Sequence, residues 1–96
     1  MFVVLVKSRF KLDKIEIYEN TFRSLRETVL ANEPGVTFYE LARVPGEPGN
    51  YRLVECYTDT QVQQEHLEKD YYQAAIPIIV DCLEGATYEM EVVETI

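Results

Sequence analysis

The chain has 96 residues, a length that accommodates one domain and leaves no room for a second hydrophobic core. Its composition, 47% hydrophobic and 27% charged with four glycines and four prolines, is that of a folded globular protein rather than a disordered one. The net charge of −8, with only nine Lys and Arg residues, argues against nucleic acid as a partner, because phosphate backbones are bound by clustered basic side chains.

The N-terminus and the cysteines bear on location and redox chemistry. The apolar run at residues 1–6 lacks a positively charged leader and is too short for the core of a signal peptide, and no later stretch could span a bilayer. We therefore expect a cytoplasmic protein with no membrane partner. Cys56 and Cys82 form no CxxC pair and lack partners at metal-ligand spacing, so both are predicted to be reduced core residues, with no metal site.

The first third of the chain predicts a strand followed by an amphipathic helix. Residues 2–9 are rich in β-branched side chains and too short for a buried helix. The helix is expected to begin with Asp13 as its N-cap and Glu16 three residues later. It should end near Asn32, because Pro34 disfavours helical geometry at the residue before it. Between these ends, apolar residues recur at helical spacing: Ile15, Tyr18, Phe22, Leu25 and Val29.

A β-hairpin is predicted next. Strand-like runs at residues 36–44 and 51–57 flank residues 45–50, which are dense in Pro, Gly and Asn. The two strands are therefore expected to be antiparallel neighbours. With regular register, Val36, Phe38 and Leu53 would share one face of the sheet, and the other face would carry Tyr39, Leu41 and Val54.

Two helical segments and a final strand complete the order. Residues 58–60 offer an N-cap for a helix that carries Val62, His66 and Leu67. Asp70 is expected to cap a second segment through Leu83, in which Pro77 introduces a kink or starts the last stretch, and Gly85 is expected to end it. Residues 87–95 alternate as in a strand with one face more exposed, Tyr88, Met90 and Val92 opposing Glu89, Glu91 and Val93.

The element order β-α-β-β-α-β predicts a single α+β domain over residues 1–96, with a ferredoxin-like antiparallel four-stranded sheet. Right-handed crossovers place both helices on one face of that sheet. The strands are apolar on both faces, so the uncovered face is expected to be buried against a second copy of the chain. The sequence thus predicts a homodimer that forms through the open face of the sheet.

Three segments in register resemble a known family. They are Glu-Pro-Gly-Val-Thr-Phe-Tyr-Glu at residues 33–40, Tyr-Arg-Leu-Val-Glu-Cys-Tyr-Thr-Asp at residues 51–59, and Glu65-His66-Leu67 followed by Tyr71-Tyr72-Gln73. In order and spacing they resemble the antibiotic biosynthesis monooxygenase (ABM) domain over nearly the whole chain. The resemblance implies a dimeric α+β barrel with a pocket for a small hydrophobic or aromatic molecule between the sheet and the helices of each subunit.

Relatives implied by this resemblance include quinol and polyketide monooxygenases that use no cofactor, haem-degrading enzymes and an isomerase, so the fold does not fix the reaction. The chain departs from the family pattern at two places. Tyr57 stands where the family usually has Trp, and the first strand contains no Asn. These departures argue against haem degradation and leave open a catalytically inactive member.

His66 is the only histidine and the natural candidate base, because its ordinary pKa lies near neutrality. The alternative is a structural histidine that holds a helix end. Tyr57 is predicted to stack on a flat substrate or donate to its oxygen, the alternative being strand packing. Tyr71 and Tyr72 follow His66 by five and six residues, so at least one is expected to face inward, either walling a pocket or packing in the core.

Further substrate-binding residues follow from the regular hairpin. Phe38, Leu53 and Glu55 are predicted to lie on the face of Tyr57, as is Glu40. Two carboxylates on an apolar surface would raise at least one carboxyl pKa, unless either pairs with a nearby Arg or lies at an open edge. The acidic last strand is most simply a solvated face.

The resulting functional expectation is a cofactor-independent monooxygenase that acts on a phenolic, quinol or polyketide-like substrate, with His66 and Tyr57 as catalytic residues. The alternatives are an isomerase of the same family and a non-catalytic dimer for ligand binding or assembly, which the Trp and Asn departures favour. Substrate, pathway and assembly beyond the dimer are not determined by the sequence.

Overall fold

Eight secondary-structure elements follow one another without a long irregular segment. In this computed structural model the backbone of residues 1–96 is described, together with every side chain except that of Ala86. The elements are β1 (Phe2–Phe10), a 3-10 turn (Leu12–Lys14), α1 (Ile15–Asn32), β2 (Val36–Arg43), β3 (Asn50–Tyr57), α2 (Thr60–Glu68), α3 (Asp70–Cys82) and β4 (Leu83–Glu94). None of the described helices is long and apolar enough to cross a membrane.

The four strands form one antiparallel sheet in the order β2-β3-β1-β4, which confirms the predicted ferredoxin-like α+β arrangement. The central strand β1 pairs with β3 on one side and with β4 on the other. Alternate residues of β1 are buried from Val4 to Phe10, while the residues between Leu5 and Arg9 that point the other way are exposed. The helices therefore cover one face and leave the second open.

Helix α1 packs on the sheet through the apolar stripe that its sequence predicts. Tyr18, Phe22, Leu25 and Val29 are all buried, and Ile15 is half-buried at the N-terminal end. Three of these side chains join the main core with Val4 and other residues of the sheet, whereas Tyr18 belongs to a second cluster with Phe10, Tyr51 and Cys82. The spacing of 3 and 4 residues thus decided which face of α1 is buried.

Three predicted helix boundaries are wrong. Asp13 lies in the 3-10 turn and makes no capping hydrogen bond, because α1 begins two residues later with Lys14 as its N-cap. Asp70 lies inside the first turn of α3, whose N-cap is Lys69. Gly85 lies within β4 at a φ of 64°, since α3 has already ended at Cys82 and the chain enters the strand at once.

The N-cap of α2 agrees with expectation, and α3 continues through Pro77. The Asp59 carboxylate accepts from the backbone N–H of Val62 at 2.9 Å. Pro77 lies inside α3 without ending it. Helix α2 therefore begins where the sequence predicts, whereas α3 is present with different ends.

An irregularity in β2 reverses the predicted faces of this strand. The pairing of β2 with β3 shifts between Val36 and Phe38, so that Thr37 is an extra residue, as in a β-bulge. A one-residue shift turns every later side chain to the opposite face. Tyr39 consequently points into the helix-covered core, and Phe38 is 47% exposed on the open face. The prediction that Phe38 and Glu40 share the face of Tyr57 is wrong.

The open face carries an apolar row that crosses the sheet. Phe38 pairs with Cys56, Cys56 with Val3, and Val3 with Val93. Cys56 is half-buried in this row, outside the helix-covered core, so the prediction of a core position holds for the buried Cys82 alone. The last strand is confirmed as β4, but the predicted difference between its two faces is not, because residues 88–94 are exposed on both.

Candidate active site

His66 lies at the centre of the helix-covered side of the sheet. Asp59 starts α2 by capping it, and the position seven residues later points inward, where the His66 side chain is 0% exposed. Its Nδ1 lies 2.9 Å from Oε1 of Glu33, a buried carboxylate at the C-terminal end of α1. A buried His–Glu pair therefore joins α2 to the turn that leads into β2.

Three tyrosine rings surround the imidazole. The ring centroids of Tyr39, Tyr57 and Tyr72 lie 5.4, 5.7 and 4.8 Å from that of His66. The Tyr39 hydroxyl is 3.4 Å from Nε2, a long contact. Because the Glu33 carboxylate can only accept at Nδ1, the hydrogen-bond network assigns the imidazole proton to Nδ1 and leaves Nε2 as an acceptor.

The electrostatics of His66 keep it neutral. Burial lowers its pKa, and the neighbouring Glu33 charge opposes that shift without reversing it. A neutral imidazole with a free Nε2 has the protonation state of a general base. Its complete burial, however, leaves no path for a substrate to reach Nε2 unless a surrounding tyrosine ring moves.

Glu55 and Tyr57 form a second pair on the same side of the sheet. The Tyr57 hydroxyl donates to Oε1 of Glu55. Burial raises the pKa of Glu55 to about 7, the Tyr57 hydrogen bond opposes the shift, and the Glu33 charge adds to it. A raised carboxyl pKa was predicted here, but its cause is burial and not proximity to Glu40, which pairs with Arg26 at the sheet edge.

The second carboxylate oxygen of Glu55, like the hydroxyl of Tyr72, makes no described hydrogen bond. Among the described side chains, no buried oxygen or nitrogen lacks a hydrogen-bond partner. Oε2 of Glu55 has no described partner, so it must be in contact with solvent. The site thus has one carboxylate oxygen that is free of protein hydrogen bonds among the described residues, close to half-buried Tyr72, whose pKa burial and the Glu55 charge raise to about 12.

The remaining predicted residues lie at the margin of this arrangement. Leu53 is half-buried on the same face as Tyr57 and packs against the main core. Tyr71 donates through its hydroxyl to Oε2 of Glu33, on the far side of the His–Glu pair. Phe38 lies on the opposite face of the sheet, so the structure does not bring it to the site.

Glu33 and Tyr39 belong to the site although sequence reasoning did not select them. Glu33 is 33 residues from His66, and its only sequence signal is its position before the Pro-Gly turn that ends α1. Tyr39 was placed on the other face, and the bulge at Thr37 moved it inward. Within the described residues, no three His, Cys, Asp or Glu side chains are grouped so that they could hold a metal ion.

The fold and the site define a small ferredoxin-like α+β protein whose helix-covered face encloses a His–Glu pair and carries a tyrosine-bound carboxylate beside it. The family model of the antibiotic biosynthesis monooxygenases matches residues 1–77. The chain therefore belongs to the antibiotic biosynthesis monooxygenase family.

Solved structures share this fold over the whole chain. A protein from Caulobacter crescentus, assigned as an antibiotic biosynthesis monooxygenase, has 28% identity and a TM-score of 0.93, with 99% of this chain and 89% of that chain covered. One from Nitrosomonas europaea with the same assignment has 21% identity and a TM-score of 0.90, covering 99% and 98%. A conserved protein from Methanosarcina mazei has 23% identity and a TM-score of 0.88, covering 96% and 89%. No curated protein matches the chain.

Proposed function

We propose that this protein is a cofactor-independent monooxygenase that oxidises a small phenolic, quinol or polyketide-like molecule. Membership of the antibiotic biosynthesis monooxygenase family supports the reaction class. The observation that carries the proposal is the Glu55–Tyr57 pair, because it offers a half-buried carboxylate of raised pKa with one oxygen held by Tyr57 and one without a described hydrogen bond. Tyr72 and the exposed Tyr88 flank that carboxylate closely enough for its charge to raise the pKa of both phenols.

The chemistry requires little from the protein besides a base and a binding surface. Glu55 accepts the phenolic proton of the substrate, and the resulting anion reduces O2 directly. One ring C–H carbon ortho or para to the phenolic oxygen becomes C=O with one oxygen atom of O2. The second oxygen atom leaves as water with two hydrogens of the substrate, and the ring becomes a quinone. All four electrons that O2 takes up come from the substrate, so the step balances without a further reductant. A carboxyl pKa near 7 suits proton transfer at neutral pH.

His66 remains the second candidate base. It is neutral, and its Nε2 faces the Tyr39 hydroxyl at 3.4 Å. Its full burial favours Glu55 as the group that meets the substrate and gives His66 the role of holding Glu33, and through it Tyr71, in place. If a tyrosine ring moves away when the substrate binds, the substrate can reach Nε2 of His66. His66 is then the base that accepts the substrate proton, in place of Glu55.

Oxygen uptake with a panel of hydroquinones and 1,3-dicarbonyl compounds tests the reaction and the base together. On a substrate that the wild type oxidises, Glu55→Gln is expected to lower kcat by about 100-fold or more, the usual contribution of a general base. The matched control is Glu27→Gln on the exposed side of α1. His66→Gln is expected to retain more activity than Glu55→Gln, and the reverse order would transfer the base assignment to His66.

A non-catalytic binding or assembly dimer is the second candidate function. The observation that favours it is the complete burial of His66 and Tyr57, both 0% exposed and both hydrogen-bonded. An enzyme with this site should consume O2 with at least one acidic phenol of the panel. No uptake from a folded protein that nevertheless binds these phenols would support the non-catalytic alternative.

The same proposal includes a homodimer that forms through the open face of the sheet. The apolar row from Phe38 to Val93 crosses all four strands, with Leu5 exposed on the next row of the same face. Burial of apolar surface yields about 25 cal/mol per Å², so a face of several hundred Å² supplies a substantial driving force for association. A second copy provides a matching apolar row by symmetry.

The mass in solution, measured by sedimentation at micromolar concentration, tests the dimer. Two variants are compared in which the substituted side chains are equally exposed. Phe38 on the open face and Ile17 on the outer side of α1 are both 47% exposed. Phe38→Glu is expected to shift the protein towards monomer, because it introduces a carboxylate from each copy into the apolar interface, whereas Ile17→Glu should leave the mass unchanged. A monomeric wild type, or equal behaviour of the two variants, would contradict this interface.

A further inference from the structure

A cluster of arginines lies outside the candidate active site, in a cleft between α1 and the β2 edge of the sheet. Arg23 and Arg26 come from α1 and Arg43 from the end of β2, and the three line a space of about 520 Å³. We call it the arginine cleft. These three residues are among the nine Lys and Arg side chains of the protein. Positive charge is therefore concentrated in this cleft, although the net charge of the protein is −8.

The buried carboxylate of Glu19 organises the cleft without neutralising it. Arg43 donates to both Glu19 oxygens at 2.6 and 2.9 Å, Arg23 donates at 3.1 Å, and the Tyr51 hydroxyl donates at 2.5 Å. The Arg43 hydrogen bonds hold the pKa of Glu19 at about 2. Glu19 is therefore ionised and fully satisfied by its neighbours.

Each of the three guanidinium groups has N–H donors that make no hydrogen bond to the described residues. Arg23 donates through Nη1 and Nη2, and Arg43 through Nε and Nη2. Arg26 donates through Nε and Nη2, to the Tyr39 carbonyl and to Glu40. One nitrogen of each group makes no described hydrogen bond. Against three arginines, Glu19 and Glu40 are the two carboxylates that line the cleft, which leaves one positive charge in excess.

The cleft also has an apolar part. Phe22 and Leu41 line it beside the guanidinium groups. Its volume lies in the range of about 300–1,000 Å³ that is usual for small-molecule sites. A planar carboxylate matches the paired donors of a guanidinium, and an apolar ring attached to it would rest on these two side chains.

The geometry points to a second ligand site in the arginine cleft, one that binds a small organic carboxylate with an apolar body. This site is separate from Glu55 and His66 and does not depend on the proposed oxygenase reaction. Arg23 and Arg43 are the anchors for the carboxylate, since their side chains are 63% and 70% exposed and retain free donors. Arg26, which is partly covered and bound to Glu40, closes the end of the cleft.

Amide chemical-shift titration of the full chain with benzoate, benzamide and inorganic phosphate tests this site. Benzoate is expected to shift signals of residues in the arginine cleft, whereas benzamide, which has the same ring but no charge, should not. Arg23→Gln is the informative variant because Arg43 and Tyr51 still hold Glu19 in place. Loss of one charge-assisted contact at an exposed site should weaken benzoate binding about fivefold.

Lys14→Gln serves as the control, because it removes one positive charge outside the cleft, from a long ion pair of 4.0 Å with Asp81. Its benzoate affinity should stay within about twofold of the wild type, as expected for a distant screened charge. Equal shifts with benzamide, an unchanged affinity in Arg23→Gln, or an equal loss in Lys14→Gln would each overturn the assignment. Phosphate binding as tight as benzoate binding would also overturn it, because the apolar part would then contribute nothing.

Discussion

Replacing Glu55 by Gln removes an ionisable group from the helix-covered side of the sheet and keeps the shape of its side chain. The pKa of Glu55 is raised from 4.5 to about 7, mainly because burial disfavours the carboxylate. Since the folded chain binds this proton more tightly than the unfolded chain, the group favours folding at low pH. Its contribution is complete below about pH 4.5 and is lost as the pH rises through 7.

The size of the effect follows from the same shift. The pKa difference is about 2.5 units, and one unit corresponds to 1.36 kcal/mol, so the ionised carboxylate lowers the free energy of unfolding by about 3 kcal/mol at pH 8. Gln resembles the protonated carboxyl and can still accept from the Tyr57 hydroxyl. The variant should therefore match the wild type near pH 4.5 and exceed its free energy of unfolding by up to about 3 kcal/mol at pH 8.

Urea unfolding at fixed protein concentration, followed by circular dichroism from pH 4.5 to 8.5, measures this difference directly. A fixed concentration is needed because the unfolding midpoint of the proposed dimer would depend on it. The expected result is a free-energy gap between Glu55→Gln and wild type that opens between pH 4.5 and 7 and then stays constant. A gap that does not change with pH would refute the raised pKa, and with it the reason for choosing Glu55 as the base.

Three further substitutions, each followed by urea unfolding, test individual contacts that stabilise the fold. Glu33→Gln should lower the free energy of unfolding by about 1–3 kcal/mol, because it weakens the hydrogen bond at the buried His66, and an unchanged value would exclude a structural role for the pair. Gly49→Ala should destabilise the fold more than Gly46→Ala: both have positive φ, but only at Gly49 would a Cβ lie 2.7 Å from a backbone oxygen of β1. Asp59→Ala should cost about 1 kcal/mol through loss of the α2 cap; no loss would show that the cap is replaced by water.

The sequence located the helices because their signals are local. The stripe from Tyr18 to Val29 needs only helical periodicity, and Asp59 needs only the free N–H groups of the helix that follows it. Asp13 and Asp70 show the limit of such signals. Both are residue types that often cap helices, and both lie close to the start of a helix. The backbone nevertheless places Lys14 at the N-cap of α1 and Lys69 at the N-cap of α3.

The candidate site was predicted in part. His66, Tyr57, Glu55 and Leu53 were placed on the correct side, because strand alternation and helical spacing are periodic and β3 is regular. Phe38 was placed on the wrong face because of the bulge in β2. The bulge depends on how β2 pairs with β3, and no residue of β2 by itself indicates that pairing.

The sequence by itself determined the α+β fold class, the order of the elements and the family to which the chain belongs. These follow from periodicity and from short motifs, which are properties of neighbouring residues. The tertiary structure alone decided that Glu33 meets His66, that Tyr39 replaces Phe38 on the inner face, and that Glu55 is held by one oxygen only. These contacts join residues far apart in the chain, and their geometry exists only after the strands have paired and the helices have packed.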